Sequence, residues 1–246
     1  MKALLLNSGV GSRMKGLVSC KCLVELAPGI TILDAQIKTL LRCGVDDFYM
    51  TTGSHADVLE AYVQKRYPHV HFTYVNNPVY DKTNYIYSIY FARDFVRGSD
   101  ILSLHGDLVY EQNVLQDIIA SEQSVMVVDS TKPLPEKDFK AVIKDSRVRK
   151  VSVDTFTDAL YAQPMYKLLQ KDWDLWLAAI ERFCEQGNTG VYAENAFNEI
   201  SDTMNIYPFD VAGRLCFEID NNEDLTYGRD AYSRMPDRFQ TVYFQI

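Results

Sequence analysis

The chain is short of positive charge. Its 25 Lys and Arg residues face 33 Asp and Glu, for a formal net charge of -8. Such a balance argues against a nucleic-acid backbone as partner. Long hydrophobic runs are missing as well. No stretch reaches the roughly 18 apolar residues that span a bilayer. The apolar part of the N-terminal segment, residues 3–6, is too short for a signal peptide. Cysteine is sparse: five are scattered along the chain. Cys20 and Cys22 lie two apart with no second pair and no nearby histidine, which disfavours a zinc site and a disulfide framework. A reducing cytoplasm fits this usage best. Internal repeats and low-complexity tracts are absent, so 246 residues read as one large domain or one and a half.

What is present is concentrated near the start. Residues 3–6 form a short buried-strand signal. The chain then turns small and polar through Asn7, Ser8, Gly9, Gly11 and Ser12, with Arg13 next and Lys21 beyond. Glycines let backbone N–H groups approach an anion, since no Cβ intervenes. A strand running into such a turn with two cations reads as a phosphate cradle. The plain alternative is a tight turn after an edge strand. A dinucleotide fingerprint would need a third glycine where Met14 stands, and a P-loop would need Gly-Lys-Ser/Thr after the second glycine.

The pattern Gly9-x-Gly11-Ser12-Arg13-Met14, followed by Lys21-x-Leu23 and later by Leu33 and Gln36, resembles the signature of a nucleotidyltransferase family. This family moves NMP from an NTP onto a phosphorylated small molecule and includes sugar-phosphate and choline-phosphate types. Two positions depart from its pattern: Ser8 replaces the usual alanine, and Cys20 the usual proline. The resemblance implies an α/β fold of the GT-A type, with a Rossmann-like, mostly parallel central sheet flanked by helices.

The residues independently suggest a similar sheet. Helices are expected at 32–43, 56–65 and 86–95, and strands at 48–52, 71–75 and 101–107. This alternation, at about 25-residue spacing, predicts right-handed crossovers and a parallel sheet. Ser54 or Asp57 is the expected cap of the second helix. Ligands in such sheets sit outside the carboxyl ends of the strands. A further helix is expected at 112–120 and a strand at 124–128. Residues 139–144, 147–153 and 160–168 read as strands of a small β-rich subdomain over the sheet's mouth. Residues 172–184 read as an amphipathic helix. Its Trp173 is weighed as core against an aromatic box, with core favoured.

Thr83, Asn84 and Ser88 surround the start of the third helix. Thr83 and Asn84 either cap it or read a nucleotide base, since both carry donor and acceptor groups. The Asn-x-x-x-Ser spacing is similar to the choline-phosphate cytidylyltransferase branch, which implies cytosine. Asp107 ends an apolar strand and is well placed to hold a cation. His105 reads as a strand-filling residue without a role. Glu-Ile-Asp-x-x-Glu-Asp-Leu, from Glu218 to Leu225, looks like the family's second metal-binding segment. Tyr192 and Glu194 lie where the family contacts an acceptor's amine; an aromatic face plus a carboxylate suits an ammonium group.

The resemblance therefore implies an enzyme. CTP would be the donor and Mg²⁺ would be held on its α-phosphate by Asp107 and Asp220, with Lys21 and Arg13 neutralising the phosphates. The acceptor would be a small amine-bearing phosphate or phosphonate, such as phosphocholine or 2-aminoethylphosphonate. The alternatives are a sugar-1-phosphate enzyme, a nucleotide-binding relative without turnover, and an NAD-dependent oxidoreductase. The last is disfavoured because the second strand ends Thr51-Thr52-Gly53, with no acidic residue. The transferase domain is expected over 1–230, with acceptor binding at 130–200. The segment 231–246 reads as a linker or tail toward a second domain.

Overall fold

The computed structural model describes residues 1–9, 11 and 20–235. Its centre is a nine-stranded sheet. Strand β1 (Lys2–Leu6) lies between β4 (Phe48–Thr52) and β6 (Ile101–His105), parallel to both. Beyond β4, strand β5 (Phe72–Asn76) is also parallel. Each β1 residue from Ala3 on is buried. Leu4 and Leu6 enter one hydrophobic core, Ala3 and Leu5 the other. A strand covered on both faces therefore reads as a continuous apolar run rather than an alternating one.

Helices cover both faces. Helices α1 (Ile32–Arg42), α2 (Ala56–Arg66) and α4 (Gln112–Ala120) contribute Leu33, Ile37, Leu59, Val63 and Leu115 to one core. Helices α3 (Tyr85–Val96), α5 (Gln170–Glu185) and α6 (Ala193–Ile200) line the other. Helix α1 opens on a capping box in which Thr31 and Asp34 exchange side-chain and backbone hydrogen bonds. Helix α2 departs from expectation. Neither Ser54 nor Asp57 caps it; His55 does, in a left-handed conformation at φ 60° and without a side-chain bond. Both tryptophans of α5 are buried, and their indole N–H groups donate to Val96 and Ala193 carbonyls. Trp173 is a core residue, not part of an aromatic box.

The strands expected to form a small β-rich subdomain continue the main sheet. Strand β11 (Ala159–Leu168) joins the main sheet directly. One half pairs antiparallel with β6 and the other with β9 (Lys140–Lys144), while β8 (Ser124–Asp129) branches off that path and pairs antiparallel with β11 as well. The register with β8 shifts between Ala162 and Tyr166. Pro164 falls within that shift, where it has no N–H to give a ladder. Strand β10 (Arg147–Ser152) folds back on β9, and β12 (Ile206–Asp210) pairs parallel with β8.

Two small sheets finish the site end. One is β2 (Glu25–Ala27) with β3 (Ile30–Thr31); the other is β7 (Leu108–Tyr110) with β13 (Cys216–Glu218). Helix α7 (Asn222–Arg234) packs Leu225 and Tyr232 against Val24, Leu26 and Ile219. It is helical through Arg234, past the position where a linker was expected to begin. Among the described residues no helix is long and apolar enough to cross a membrane.

Candidate active site

A cavity of about 480 Å³ opens at the carboxyl ends of the parallel strands β1, β5 and β6. The turn after β1 supplies Asn7, Ser8, Gly9 and Gly11 to its wall. Two other glycines give this turn room. A Cβ at Gly106 would lie 1.8 Å from Asn7 Oδ1, and one at Gly53 2.5 Å from the Ser8 carbonyl oxygen. Gly11 itself has φ +64°, and a Cβ there would press within 3.1 Å of Lys21 Cβ. Ser12 and Arg13 lie outside the described residues.

One wall is a polar network. The Ser8 and Ser88 hydroxyls share a hydrogen bond of 2.7 Å. Asn77 donates to Ser88 at 3.0 Å and to Thr83 at 3.1 Å. Asn84 caps α3, accepting from the Tyr85 N–H, and still lines the cavity with Thr83. Both polar side-chain atoms of Asn7 are buried without a partner among the described residues. Asn77 escaped the sequence reading, although the Asn-Pro turn that it opens was visible.

The opposite wall is charged. Lys21 lies in a single 3-10 turn, Lys21–Leu23, and its Nζ donates to Asp107 and to Asp220, each at 2.5 Å. Three remote segments meet here, and backbone bonds fix them. Gln36 on α1 donates to the carbonyls of His105 and Leu108, both at 2.9 Å, and so grips the turn that carries Asp107. Ile219 N–H donates to the Asp107 carbonyl at 3.0 Å. Asp224, in the capping box of α7, accepts from the N–H groups of Asp220 and Asn221. Strand β13 ends at Glu218, so Asp220 stands on the following turn rather than on the strand itself.

The electrostatics follow from this geometry. Burial works against the Lys21 ammonium, but the charges of Asp107 and Asp220 outweigh it and hold it above its ordinary value. Burial likewise works against Asp107, yet the charges of Lys21 and His105 pull its carboxyl below the usual range. His105 faces Glu218, Nδ1 to Oε1, at 3.0 Å. Burial and the Asp107 charge push the Glu218 carboxyl up to about 7. Sequence alone left His105 without a role, since its partner lies on a distant strand.

Tyr192 borders the cavity, half-exposed, with its ring 5.0 Å from Phe139 and 6.0 Å from Tyr85. Glu194 does not join it on the wall. It is buried beneath Tyr85, and its carboxylate accepts from the hydroxyls of Tyr85 and Tyr166. Its place under the ring, rather than against an acceptor's amine, corrects the sequence expectation.

The donor set can be tested for a divalent ion. Ligand atoms of His105, Asp107 and Glu218 lie within 4.8 Å of one another. Asp107 Oδ1 is buried without a hydrogen-bond partner among the described residues. Asp107 and Asp220 already share one cation, the Lys21 ammonium. Two aspartates on a cavity wall suit Mg²⁺, which takes few carboxylates and keeps substrate oxygens as ligands.

A mostly parallel sheet with a glycine turn, a lysine and paired aspartates at one mouth goes together here with a match to a nucleotidyltransferase family. More narrowly, residues 3–193 match the MobA-like NTP transferase domain, and the chain belongs to that family. A CTP:phosphoglutamine cytidylyltransferase of Campylobacter jejuni is 33% identical over 161 residues, 62% of each chain. A CMP-5'-(3-aminopropyl)phosphonate synthase of Streptomyces rubellomurinus is 30% identical over 132 residues, 53% of this chain and 21% of that protein. The match thus spans less than two thirds of either relative's length. The solved CTP:phosphocholine cytidylyltransferase from Streptococcus pneumoniae shares the fold, with a TM-score of 0.75 at 17% identity, covering 93% of this chain and 97% of that one.

Proposed function

We propose that this chain transfers CMP from CTP to a small amine-bearing phosphate or phosphonate and releases pyrophosphate. The observation that carries the proposal is Lys21 held between Asp107 and Asp220 at the mouth of the parallel strands. The names of two relatives, one a CTP-dependent cytidylyltransferase and one a synthase of a CMP-linked phosphonate, support the choice of nucleotide. The proposed transferase unit is 1–230, with acceptor binding within 130–200.

In this reading the N–H groups of the turn after β1 cradle the triphosphate, and Arg13 meets its outer phosphates. The Asn77–Thr83–Ser88 network and the buried Asn7 amide face the nucleoside. Asp107 and Asp220 would hold Mg²⁺, which supplies charge neutralisation at the α-phosphate. Lys21 then turns its charge from the aspartates toward the α-phosphate and the incoming acceptor oxygen. That oxygen is already ionised near neutral pH, so the chain needs no general base. Its task is positioning and charge stabilisation. The acceptor sits beside Tyr192, Phe139 and Asp138, and Glu194 fixes Tyr85 from below.

The test is pyrophosphate release with Mg²⁺ and each of CTP, ATP, GTP and UTP. The acceptors are phosphocholine, phosphoethanolamine, 2-aminoethylphosphonate, 3-aminopropylphosphonate, phosphoglutamine and glucose-1-phosphate. Release with CTP and an amine-bearing acceptor is expected. Release with glucose-1-phosphate alone would discard the ammonium pocket. CTP binding without release to any acceptor would favour a nucleotide-binding protein without turnover.

A further inference from the structure

All five cysteines are free thiols, and two of them flank the cation at the centre of the site. Cys20 and Cys22 stand on either side of Lys21, with their sulfurs 3.2 Å apart. Both are buried against bulk solvent, yet both line the cavity wall, so a small molecule entering the cavity meets them. Neither sulfur is taken up in the Lys21–Asp107–Asp220 cluster. We propose that Cys20 and Cys22 form a reversible disulfide when the protein meets a hydroperoxide, and that this bond withdraws Lys21 from its aspartates.

The chemistry balances with hydrogen peroxide as oxidant. The Cys20 thiolate attacks one peroxide oxygen, the O–O bond breaks, and a sulfenic acid and water result after proton uptake. The Cys22 sulfur then attacks the Cys20 sulfur, the S–O bond breaks, and a second water leaves with the Cys22 proton. Two thiols lose two electrons and two protons, and one peroxide takes them up to become two waters. The hydrogen bond from Cys22 favours the thiolate on Cys20, which casts Cys20 as the attacking group and Cys22 as the resolving one.

The consequence is geometric. A disulfide draws sulfurs to about 2.05 Å and demands its own dihedral angle. The ring it closes here runs through the backbone of Lys21. Cys20 is extended, at φ -131° and ψ 124°, and the turn is held by Leu23 N–H to the Cys20 carbonyl at 3.0 Å and Val24 N–H to the Lys21 carbonyl at 3.1 Å. Closing the ring strains this turn, and a functional group displaced by about 1 Å loses most of its effect.

The experiment treats the whole protein with hydrogen peroxide and measures intact mass, iodoacetamide labelling of each cysteine, and pyrophosphate release. A loss of two mass units is expected, with Cys20 and Cys22 protected from labelling. Turnover should fall at least tenfold and return with dithiothreitol. C22S should lack the two-unit loss, and its activity after peroxide should follow a different dose. The disulfide is read by mass and labelling without any substrate. Only its effect on turnover rests on the proposed function, so the two readings fail separately. The inference is overturned if both thiols still label after peroxide, or if a fully formed Cys20–Cys22 bond leaves turnover within twofold.

Discussion

Lys21 has its ammonium within 2.5 Å of two carboxylates and above its ordinary pKa, so it is charged at every working pH. Two fixed anions keep this charge at the mouth of the site, from which it has only to turn toward a phosphate. Lys21→Gln keeps a hydrogen-bonding side chain of similar reach but removes the charge. Its kcat should fall about 10²–10³-fold, the scale of losing one preorganised stabilising group. The dissociation constant for CTP should move less than tenfold, because the turn after β1 and the Asn77 network remain. Steady-state rates with CTP titration separate the two quantities. An unchanged kcat would remove Lys21 from the chemistry. Residues of this kind were legible because the chemistry restricts their types: glycine where a backbone must approach, lysine and aspartate where charge is handled. Glu194 was misplaced for the opposite reason. A carboxylate beside a tyrosine suggests an amine pocket, and nothing local shows that the hydroxyls of Tyr85 and Tyr166 occupy both its oxygens.

Elements hold these residues by bonds that cross the chain. Asp34, in the first turn of α1, accepts from the hydroxyls of Tyr62 and Tyr67, both at 2.6 Å, and pairs with Arg66 at 3.2 Å. Burial works against its charge, but these hydrogen bonds, the Thr31 N–H and the Arg66 charge outweigh it and lower its pKa. A depressed carboxyl stabilises the fold above its unfolded pKa, and that contribution is lost as pH falls through the folded value. Asp34→Asn should therefore cost about 3 kcal/mol at pH 7. The gap in Tm between variant and wild type should close as pH drops below about 4. A gap independent of pH would show that the charge is not what joins α1 to α2. Gln36, one helical turn's reach from the same cap, holds the turn carrying Asp107 through two carbonyls. Gln36→Leu should lower Tm by about 5 °C and kcat/KM about tenfold, the second through Asp107 alone. A variant with lower Tm and full kcat/KM would leave Gln36 a purely structural role. Helix and strand positions along this half of the chain were readable from apolar spacing and stop signals. The His55 cap was not, since a left-handed histidine leaves no pattern in the letters.

At the scale of the whole molecule the strand–helix alternation identified a parallel α/β sheet, because sequential crossovers leave little choice of hand or neighbour. It could not show that β11 would enter that sheet antiparallel beside β6. That arrangement rests on pairings such as Met165 with Leu104, between segments far apart in the chain. What composition did show is a problem of charge. A protein of formal charge -8 must bind a triphosphate, and Lys21 is already engaged with Asp107 and Asp220. Adding a polyanion beside two aspartates without further positive charge costs more than one lysine offsets. A divalent ion at those aspartates would resolve the balance and free Lys21 for the substrate. Chelation with EDTA should therefore reduce pyrophosphate release below about 1% of its starting rate, the scale of several kcal/mol of lost charge stabilisation. Added Mg²⁺ should restore it, and Ca²⁺, which prefers longer bonds and more oxygens, should restore less. In calorimetry CTP should bind more weakly in EDTA to the wild type. Asp107→Asn should narrow that difference, because the ion it would anchor is no longer held in either condition. Full turnover in EDTA would mean that Lys21, with the turn after β1, neutralises the triphosphate alone, and the two aspartates would then serve to position the lysine.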